Sequence, residues 1–465
     1  MTTRTLVDTD SVQIVANKWL DDVRQYQQNV DTLFKHGTIN AALANIGTST
    51  PTTLVVTENT AVNANTDLTS YPNIHWLFLG AGKLTPAAAV TLTLYSPDTI
   101  TADPTQYILD GSSGTITFAK KGTVYPNWFG ATMDGSTDDS AKINRALATG
   151  CHVGLVGTYR ADSVLVMSTS GQMLFGRGRE SVIKNMSGSG IFTAIGIEEN
   201  TVGVILRDFE LRGNASTEPA VANPVRGITL GTASAGTAHS VVEWDAYALI
   251  DNVHITGVTP GTTGFNVCIQ MNKGSHSKVK DCVIESMYGT NPNYGHGVVC
   301  NASDSDVVNC EFRSTISGQG RHACYFTNRP SRSRAVNCRA YDFQAEAFVT
   351  NNSSGGEQIG FINCWTINCM ASATGTTQAP FLIEGGNSNY VAGCKIIGDT
   401  LGSNRYGISI QRCANTIVSD LYLENINQHA IYIEDSGGTQ INNFIVNGCA
   451  LDDDTLYGGV VIQQS

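Results

Sequence analysis

The sequence predicts an all-β fold, a right-handed parallel β-helix, over its C-terminal two-thirds. Three observations predict it. Five short segments recur, Lys280-Asp281-Cys282-Val283-Ile284, Val308-Asn309-Cys310-Glu311-Phe312, Val336-Asn337-Cys338-Arg339-Ala340, Ile362-Asn363-Cys364-Trp365-Thr366 and Ala392-Gly393-Cys394-Lys395-Ile396, with cysteines 28, 28, 26 and 30 residues apart. A second set of apolar runs falls midway between them, among them Gly297-Val298-Val299-Cys300, Ala347-Phe348-Val349-Thr350 and Ala430-Ile431-Tyr432-Ile433. Charge is low, 15% of residues, and 47 glycines stand against 12 prolines, a composition of many short strands between turns.

At the N-terminus, residues 10–36 read as a helix. Val12, Ala16, Trp19, Val23, Tyr26, Val30 and Leu33 alternate spacings of four and three, an a/d seam over three heptads. The seam predicts a short coiled coil between copies of the chain; the alternative is a lone amphipathic helix packed on its own domain. Residues 1–50 are expected to form this helical segment, with a second short helix from Thr38 to Ile46 closed by Gly47. From 51 to 125 the pattern turns to short strands such as Ile74-His75-Trp76-Leu77-Phe78-Leu79, a small β-rich domain.

Residues 126–150 are expected to cap the solenoid, because an open solenoid end needs a cover. Ser136 or Thr137 caps a helix whose start is complemented by Asp138 and Asp139. Ile143, Ala146 and Leu147 form its apolar stripe, and Gly150 ends it. From 151 to 465 the repeat runs through nine countable coils, from Asp208-Phe209 to Asn443-Phe444, with one long insertion between Asp208 and Asn252. Strands too short to bury their own faces become stable only when stacked, about 4.8 Å apart. Parallel crossovers are nearly always right-handed. The Asn/Asp column suits a turn with unusual backbone angles, and the cysteines are expected to be reduced, small core side chains.

The capping region carries a resemblance. Tyr125-Pro126-Asn127-Trp128-Phe129-Gly130-Ala131, then Asp134-Gly135 and Thr137-Asp138-Asp139, with Gly157-Thr158-Tyr159 and Gly176-Arg177-Gly178 after them, resemble the entry signature of pectate-lyase-like β-helices. Within that superfamily the Trp-Phe-Gly form after a small β-rich segment is similar to phage tailspikes. The resemblance covers residues 54 to 215 by motif and the remainder by repeat architecture only. It implies a homotrimer, attached through its N-terminus to a virion tail or adaptor protein, assembled in a host cytoplasm and acting on a bacterial surface glycan. It assigns no catalytic residue, since proteins of this scaffold place their sites differently.

Strand alternation separates inner from outer positions. Outer positions of the midway ladder read Val299, Tyr325, Val349, Leu382, Ser409, Tyr432 and Val461. An apolar stripe there predicts a trimer contact, the alternative being cover by a loop of the same chain. Outer positions of the cysteine ladder include Glu285, Glu311, Arg313, Arg339, Tyr341, Trp365, Lys395, Tyr422 and Glu424. This face reads either as exposed ion pairs of small individual value or as a glycan surface, with Trp365, Arg339, Tyr341 and Tyr422 as contacts.

Hydrolysis of a glycosidic bond needs two carboxylates. Glu384 and Glu434 fall on one column two coils apart, near the roughly 6.5–9.5 Å of an inverting pair. Glu346 marks a second position, in the column of His296, His322 and His429. A lyase needs a base and a group to neutralise a uronate, for which His322 with Tyr325 and Arg321 qualifies. Three functions follow: a tailspike depolymerase, with hydrolysis favoured over elimination; a tail fibre of the same shape without catalysis; and a cellular pectinase-like enzyme. The first two have no use for an export signal, and no apolar stretch follows Met1-Thr2-Thr3-Arg4-Thr5. The chain also ends at the last coil, Val460-Val461-Ile462, which weighs toward the non-enzymatic fibre.

A net charge of −12 disfavours nucleic-acid binding. No run of 18 apolar residues predicts a membrane span. No Cys-x-x-Cys pair, Walker loop or dinucleotide fingerprint occurs, so neither metal nor cofactor is expected.

Overall fold

The computed structural model describes residues 29–185, 193–213, 226–232, 244–257, 267–285, 295–314, 320–328, 330–343, 345–369, 379–398, 406–448 and 459–463. The chain divides into two compact units, residues 1–131 with 145–154, and residues 132–144 with 155–465.

In the first unit, what the sequence marks as a small β-rich domain is itself a parallel solenoid. Asn29–Thr32, Thr52–Val56, Ile74–Phe78 and Ile100–Thr101 stack in one sheet. Asn59–Val62 pairs with Lys83–Pro86, and Thr66–Asp67, Thr91–Leu94 and Thr115–Phe118 form a third sheet. Asn59 faces Lys83 and Thr91 faces Thr115, 24 residues apart, while Thr52 and Ile74 are 22 apart and Thr66 and Leu92 are 26, a repeat of about 24 residues. Leu54, Trp76, Leu84, Leu92 and Leu109 fill the interior. The helix Ile39–Ile46 starts on Thr38, whose hydroxyl accepts the Ala41 N–H at 3.2 Å, and ends at Gly47 with φ 72°.

The end of the expected N-terminal helix is corrected here. Asn29–Thr32 is a strand, paired in parallel with Thr52–Val55, and only Leu33–His36 is helical. Val30 is 63% exposed on that strand while Leu33 is buried, so the heptad seam does not extend through them. Backbone pairing with the edge of Thr52–Val56 gives the segment ladder hydrogen bonds, and the Thr32 N–H is taken up by the Asp31 carboxylate at 2.9 Å. The rest of the seam, residues 10–28, lies outside the described residues.

In the second unit each coil carries three strands. A first ladder begins at Met173–Phe175 and Ile205–Arg207, a second at Asp134–Asp138, Thr158–Ala161 and Val182–Asn185, and a third at Leu165–Met167 and Thr193–Glu198. All pair in parallel down to Gln440–Asn447 and Val460–Gln463. The chain is therefore a parallel β-helix, as the repeat predicts.

The Asn/Asp column lies at the corner between first and second ladders. Asp208, Asn252, Asp281, Asn309, Asn337, Asn363, Asp420 and Asn443 all have φ between 49° and 58°, and Gly393 takes the same place at 65°. Short polar side chains tolerate this left-handed turn. Here they also bond from coil to coil, Asn309 to Asp281 at 3.0 Å, then Asn337 to Asn309 and Asn363 to Asn337 at 3.2 Å. The next residue is the cysteine. Cys282, Cys310, Cys338, Cys364 and Cys394 are buried and free. Each thiol points at a carbonyl of an earlier coil, as Cys338 does at Val307 and Cys364 at Ala335, both 3.4 Å. A small side chain with a weak donor fits this corner. Phe326, Phe348, Phe361 and Phe381 form the centre of the core, with Phe348 and Phe381 stacked at 5.0 Å.

Three further expectations change. The long insertion after Asp208 is a coil with its own third-ladder strand, Arg226–Thr232, paired with Thr193–Glu198 and Val267–Met271. The helix of the capping segment is Ser140–Ala148. It begins later than expected because Ser136 and Thr137 donate to the Asp134 carboxylate at 2.7 Å instead. Ile143, Ala146 and Leu147 are buried as expected, and the fully buried Asp139 carboxylate accepts the Thr132 and Met133 amides at 3.0 and 3.1 Å. Finally, the apolar stripe of the third ladder is no open surface. Val299 is 1%, Val349 2% and Leu382 7% exposed within one copy of the chain, so the chain itself covers the middle of the stripe, while Tyr325, Tyr432 and Val461 stay partly exposed.

Candidate functional site

Outer side chains of a parallel ladder stack on one another at the strand spacing of about 4.8 Å, faces toward the neighbouring coils and edges toward solvent. On the second ladder, Glu311, Arg339, Trp365, Lys395 and Tyr422 follow one another in register. Beside them run Glu285, Arg313, Tyr341, Ile367, Ile397 and Glu424. The Arg339 guanidinium lies 5.1 Å from the Trp365 ring centre and the Lys395 ammonium 5.7 Å, from the coils on either side. Lys395 is also 4.7 Å from the Tyr422 ring, and Arg313 5.3 Å from Tyr341. Trp365 remains 38% exposed. Its faces are occupied by cations, so it presents an edge to solvent. Of the sugar-contact candidates, Arg339, Trp365 and Tyr422 stand in this half-exposed rank and Tyr341 in the column beside it, whereas His322 and Tyr325 lie on the third ladder.

The third ladder is different. His296 and His322 are in register, with rings 5.0 Å apart, and Tyr325 packs 5.0 Å from His322. His322 is 3% exposed, its Nδ1 lies 2.6 Å from the Glu346 carbonyl oxygen, and the Glu346 carboxylate approaches to 3.7 Å. Burial pushes the His322 pKa down to about 3, and the nearby Arg321 adds to the effect. The ring is neutral at ordinary pH and sunk below the surface.

Glu384 and Glu434 share a column with Gln411 between them, in the register expected. The Glu384 carboxylate is ion-paired with Arg412 and accepts the Asn351 amide at 3.0 Å. Glu434 has no cationic partner among the described residues, and the hydroxyl of Tyr432, two residues before it, bonds Gln463 at 2.8 Å. Tyr406 stacks on Tyr432 at 4.5 Å, and on His429 at 5.6 Å, making an aromatic patch beside this column. Glu346 lies on a different column and does not join the pair.

One cluster escapes the sequence reading. On the second ladder the His254 imidazole stands between two carboxylates, Nε2 3.0 Å from Glu285 and Nδ1 3.6 Å from Glu210, while Arg212 donates to Glu210 at 2.7 Å. The signal exists, since Glu210 and His254 are in register. It is masked by a coil 44 residues long, which reads as an insertion. Among the described residues no group of His, Cys, Asp and Glu is arranged to hold a metal ion, and no helix is long and apolar enough to cross a membrane.

No protein-family model matches the chain, and no curated protein does. Solved structures do. Tailspike protein 2 from the Escherichia coli O157:H7 bacteriophage CAB120 matches at 15% identity over 74% of this chain and 41% of its own, with a TM-score of 0.49. The Dettilon tailspike protein matches at 15% identity over 70% of this chain and 68% of its own, TM-score 0.48. The endo-xylogalacturonan hydrolase from Aspergillus tubingensis matches at 13% identity over 74% of this chain and its whole length, TM-score 0.48. The chain spans about two-fifths of the first of these. The β-helix itself is established by the strand register described above.

Proposed function

We propose that this chain is the β-helical body of a phage tailspike, which binds a bacterial surface polysaccharide, capsule or lipopolysaccharide, and cleaves it. The observation that carries the reading is the half-exposed rank of Arg339, Trp365, Lys395 and Tyr422 on the second ladder. Rings and cations recur there once per coil, about the length of one sugar unit, so a linear glycan laid along the axis meets one coil per sugar. The Trp-Phe-Gly entry motif supports the tailspike assignment. In that setting the protein is a homotrimer held to the virion through its N-terminal segment, and light scattering tests the trimer.

For cleavage the column of Glu384 and Glu434 fits best. Glu384, fixed by Arg412 and Asn351, suits the carboxylate that activates water. Glu434, unpaired with any described cation and close to the Tyr406–Tyr432 patch, suits the proton donor. Two coils of separation support inversion over retention. Glu346, tied to the buried His322, is the alternative acid. A second reading, binding without cleavage, is favoured by the Glu384–Arg412 ion pair, since a structural carboxylate would be held in that way.

The test is incubation of the purified chain with capsule and lipopolysaccharide preparations, followed by glycan sizing. Shortened products with new reducing ends support hydrolysis; products with the ultraviolet band of an unsaturated uronate support elimination. Binding without shortening of any surface glycan leaves the fibre reading standing, and absence of binding overturns both.

A further inference from the structure

This inference rests on the polysaccharide reading above and narrows it. Along the outer face of the second ladder, arginines are neutralised by an acid two residues away along the chain. Arg212 pairs with Glu210 and Arg160 with Asp162, both at 2.7 Å, and Arg313 pairs with Glu311. The later coils keep the cation and drop the acid. Arg339 is followed two residues on by Tyr341, and Lys395 by Ile397. Nearby carboxylates are engaged elsewhere: Glu311, in register with Arg339, turns to Arg313, and Glu424 accepts the Tyr422 hydroxyl at 3.1 Å. Among the described residues, Arg339 and Lys395 therefore contact rings and no anion. In a chain of net charge −12, two adjacent uncompensated cations flanking an exposed indole stand out.

A cation over a ring keeps its full charge, because the ring quadrupole contributes only about 0.5–1 kcal/mol at an exposed site. A guanidinium stacked by its flat face still offers its edge N–H fork to a carboxylate, sulfate or phosphate. We infer that this stretch binds an anionic glycan, with one acidic group at Arg339, the next at Lys395, and the intervening sugar along the edge of Trp365. Arg339 and Lys395 are two coils apart, about 10 Å, the reach of an extended disaccharide. The polymer that fits carries its acidic groups on alternate sugars.

The test measures binding of the full chain to three probes: hyaluronate, with a carboxylate on alternate sugars; polygalacturonate, with one on every sugar; and neutral dextran. Both acidic polymers are expected to be retained, hyaluronate more tightly, and dextran to pass freely. Affinity falls at least about 10-fold between low and high salt, because exposed charges are screened. R339Q and K395Q each weaken binding about 5- to 10-fold, R339K recovers part of it, and R313Q, whose cation is already neutralised, changes little. Thermal melting confirms that the variants are folded. Equal retention of dextran, unchanged affinity in R339Q and K395Q, or failure to retain either acidic polymer overturns the inference. If a neutral surface glycan is bound or shortened while the acidic probes pass, only this inference fails. If no glycan of any charge is bound, the polysaccharide reading fails with it.

Discussion

The second and third ladders belong to the same coils, yet their outer faces obey different physics. The second presents charges and rings half in solvent: Arg339, Trp365, Lys395, Tyr422. The third sinks Val299, Val349, His296 and His322 out of solvent, although these point away from the core just as the former do. The same pleat therefore yields a surface that is free to bind and one that has become a second interior. Position on a strand sets direction; what the chain lays over that direction sets chemistry.

The comparison is broken most severely by exchanging the two chemistries. Val299→Asp places a carboxylate at a 1% exposed apolar site, and is expected to cost about 4 kcal/mol or more, seen as loss of the urea transition or insoluble expression. Arg339→Asp, on the second ladder, should cost less than about 1 kcal/mol. Similar losses at both positions would show that the two faces are alike.

A pH titration separates the faces next. His322 has its folded pKa pushed to about 3 by burial, and the fully buried His296 is lowered in the same way. Unfolded histidine titrates near 6.5, so below that pH the unfolded chain binds protons that the folded chain refuses. Stability is then complete above pH 6.5 and lost as pH falls through the window toward 3, by about 3 kcal/mol at pH 4.5 for His322, with a further loss of the same sign from His296. Arg321 and Glu346 are the charged groups facing His322. Carboxylates with lowered pKa, such as Asp281, lose their contribution only below about pH 4. A His296→Leu/His322→Leu double variant that still melts should lose most of this acid limb, keeping only the smaller part that comes from half-buried His75, which burial also lowers. An unchanged acid limb in that variant would place the titration elsewhere.

The β-helix was legible because one corner repeats its chemistry. A left-handed Asn or Asp followed by an inward Cys recurs at Asp281-Cys282, Asn309-Cys310, Asn337-Cys338 and Asn363-Cys364, and each coil demands it again. The first unit has no such column. Its corners use unrelated residues, so a 24-residue solenoid reads only as scattered strands. The register of Glu384 with Glu434, and of Arg339 with Trp365 and Lys395, followed from counting coils. Burial of Val299 and His322 did not, since alternation reports direction but not cover. The Glu210–His254–Glu285 cluster was hidden by loop length, which changes coil size without changing register.

Smaller than the pH effect is the expected loss of chemistry on the third ladder. Glu384→Gln keeps shape and the Asn351 contact but removes the charge that would activate water. If the Glu384–Glu434 pair cleaves glycan, the rate falls about 100-fold, about 2.7 kcal/mol of barrier, with melting nearly unchanged. Glu346→Gln should leave the rate within about twofold. The reverse result, read by reducing-end release, moves catalysis to the His322 side of the same face.

The smallest effect tests the second ladder as a surface. Trp365→Ala removes contacts with Arg339 and Lys395, each worth about 0.5–1 kcal/mol where solvent competes, and uncovers little core because Thr366, its neighbour on the strand, is the side chain facing inward. The expected destabilisation is about 1 kcal/mol in urea, against about 3–5 kcal/mol for Phe361→Ala in the centre of the helix. A double-mutant cycle between Arg339 and Trp365 should give a coupling of about 0.5 kcal/mol. A coupling above about 2 kcal/mol would mean that the rank is packed as an interior, with its cations and rings holding one another in place for stability. A small coupling, with glycan affinity lost in the same variants, would show a rank whose rings and cations are kept for a ligand.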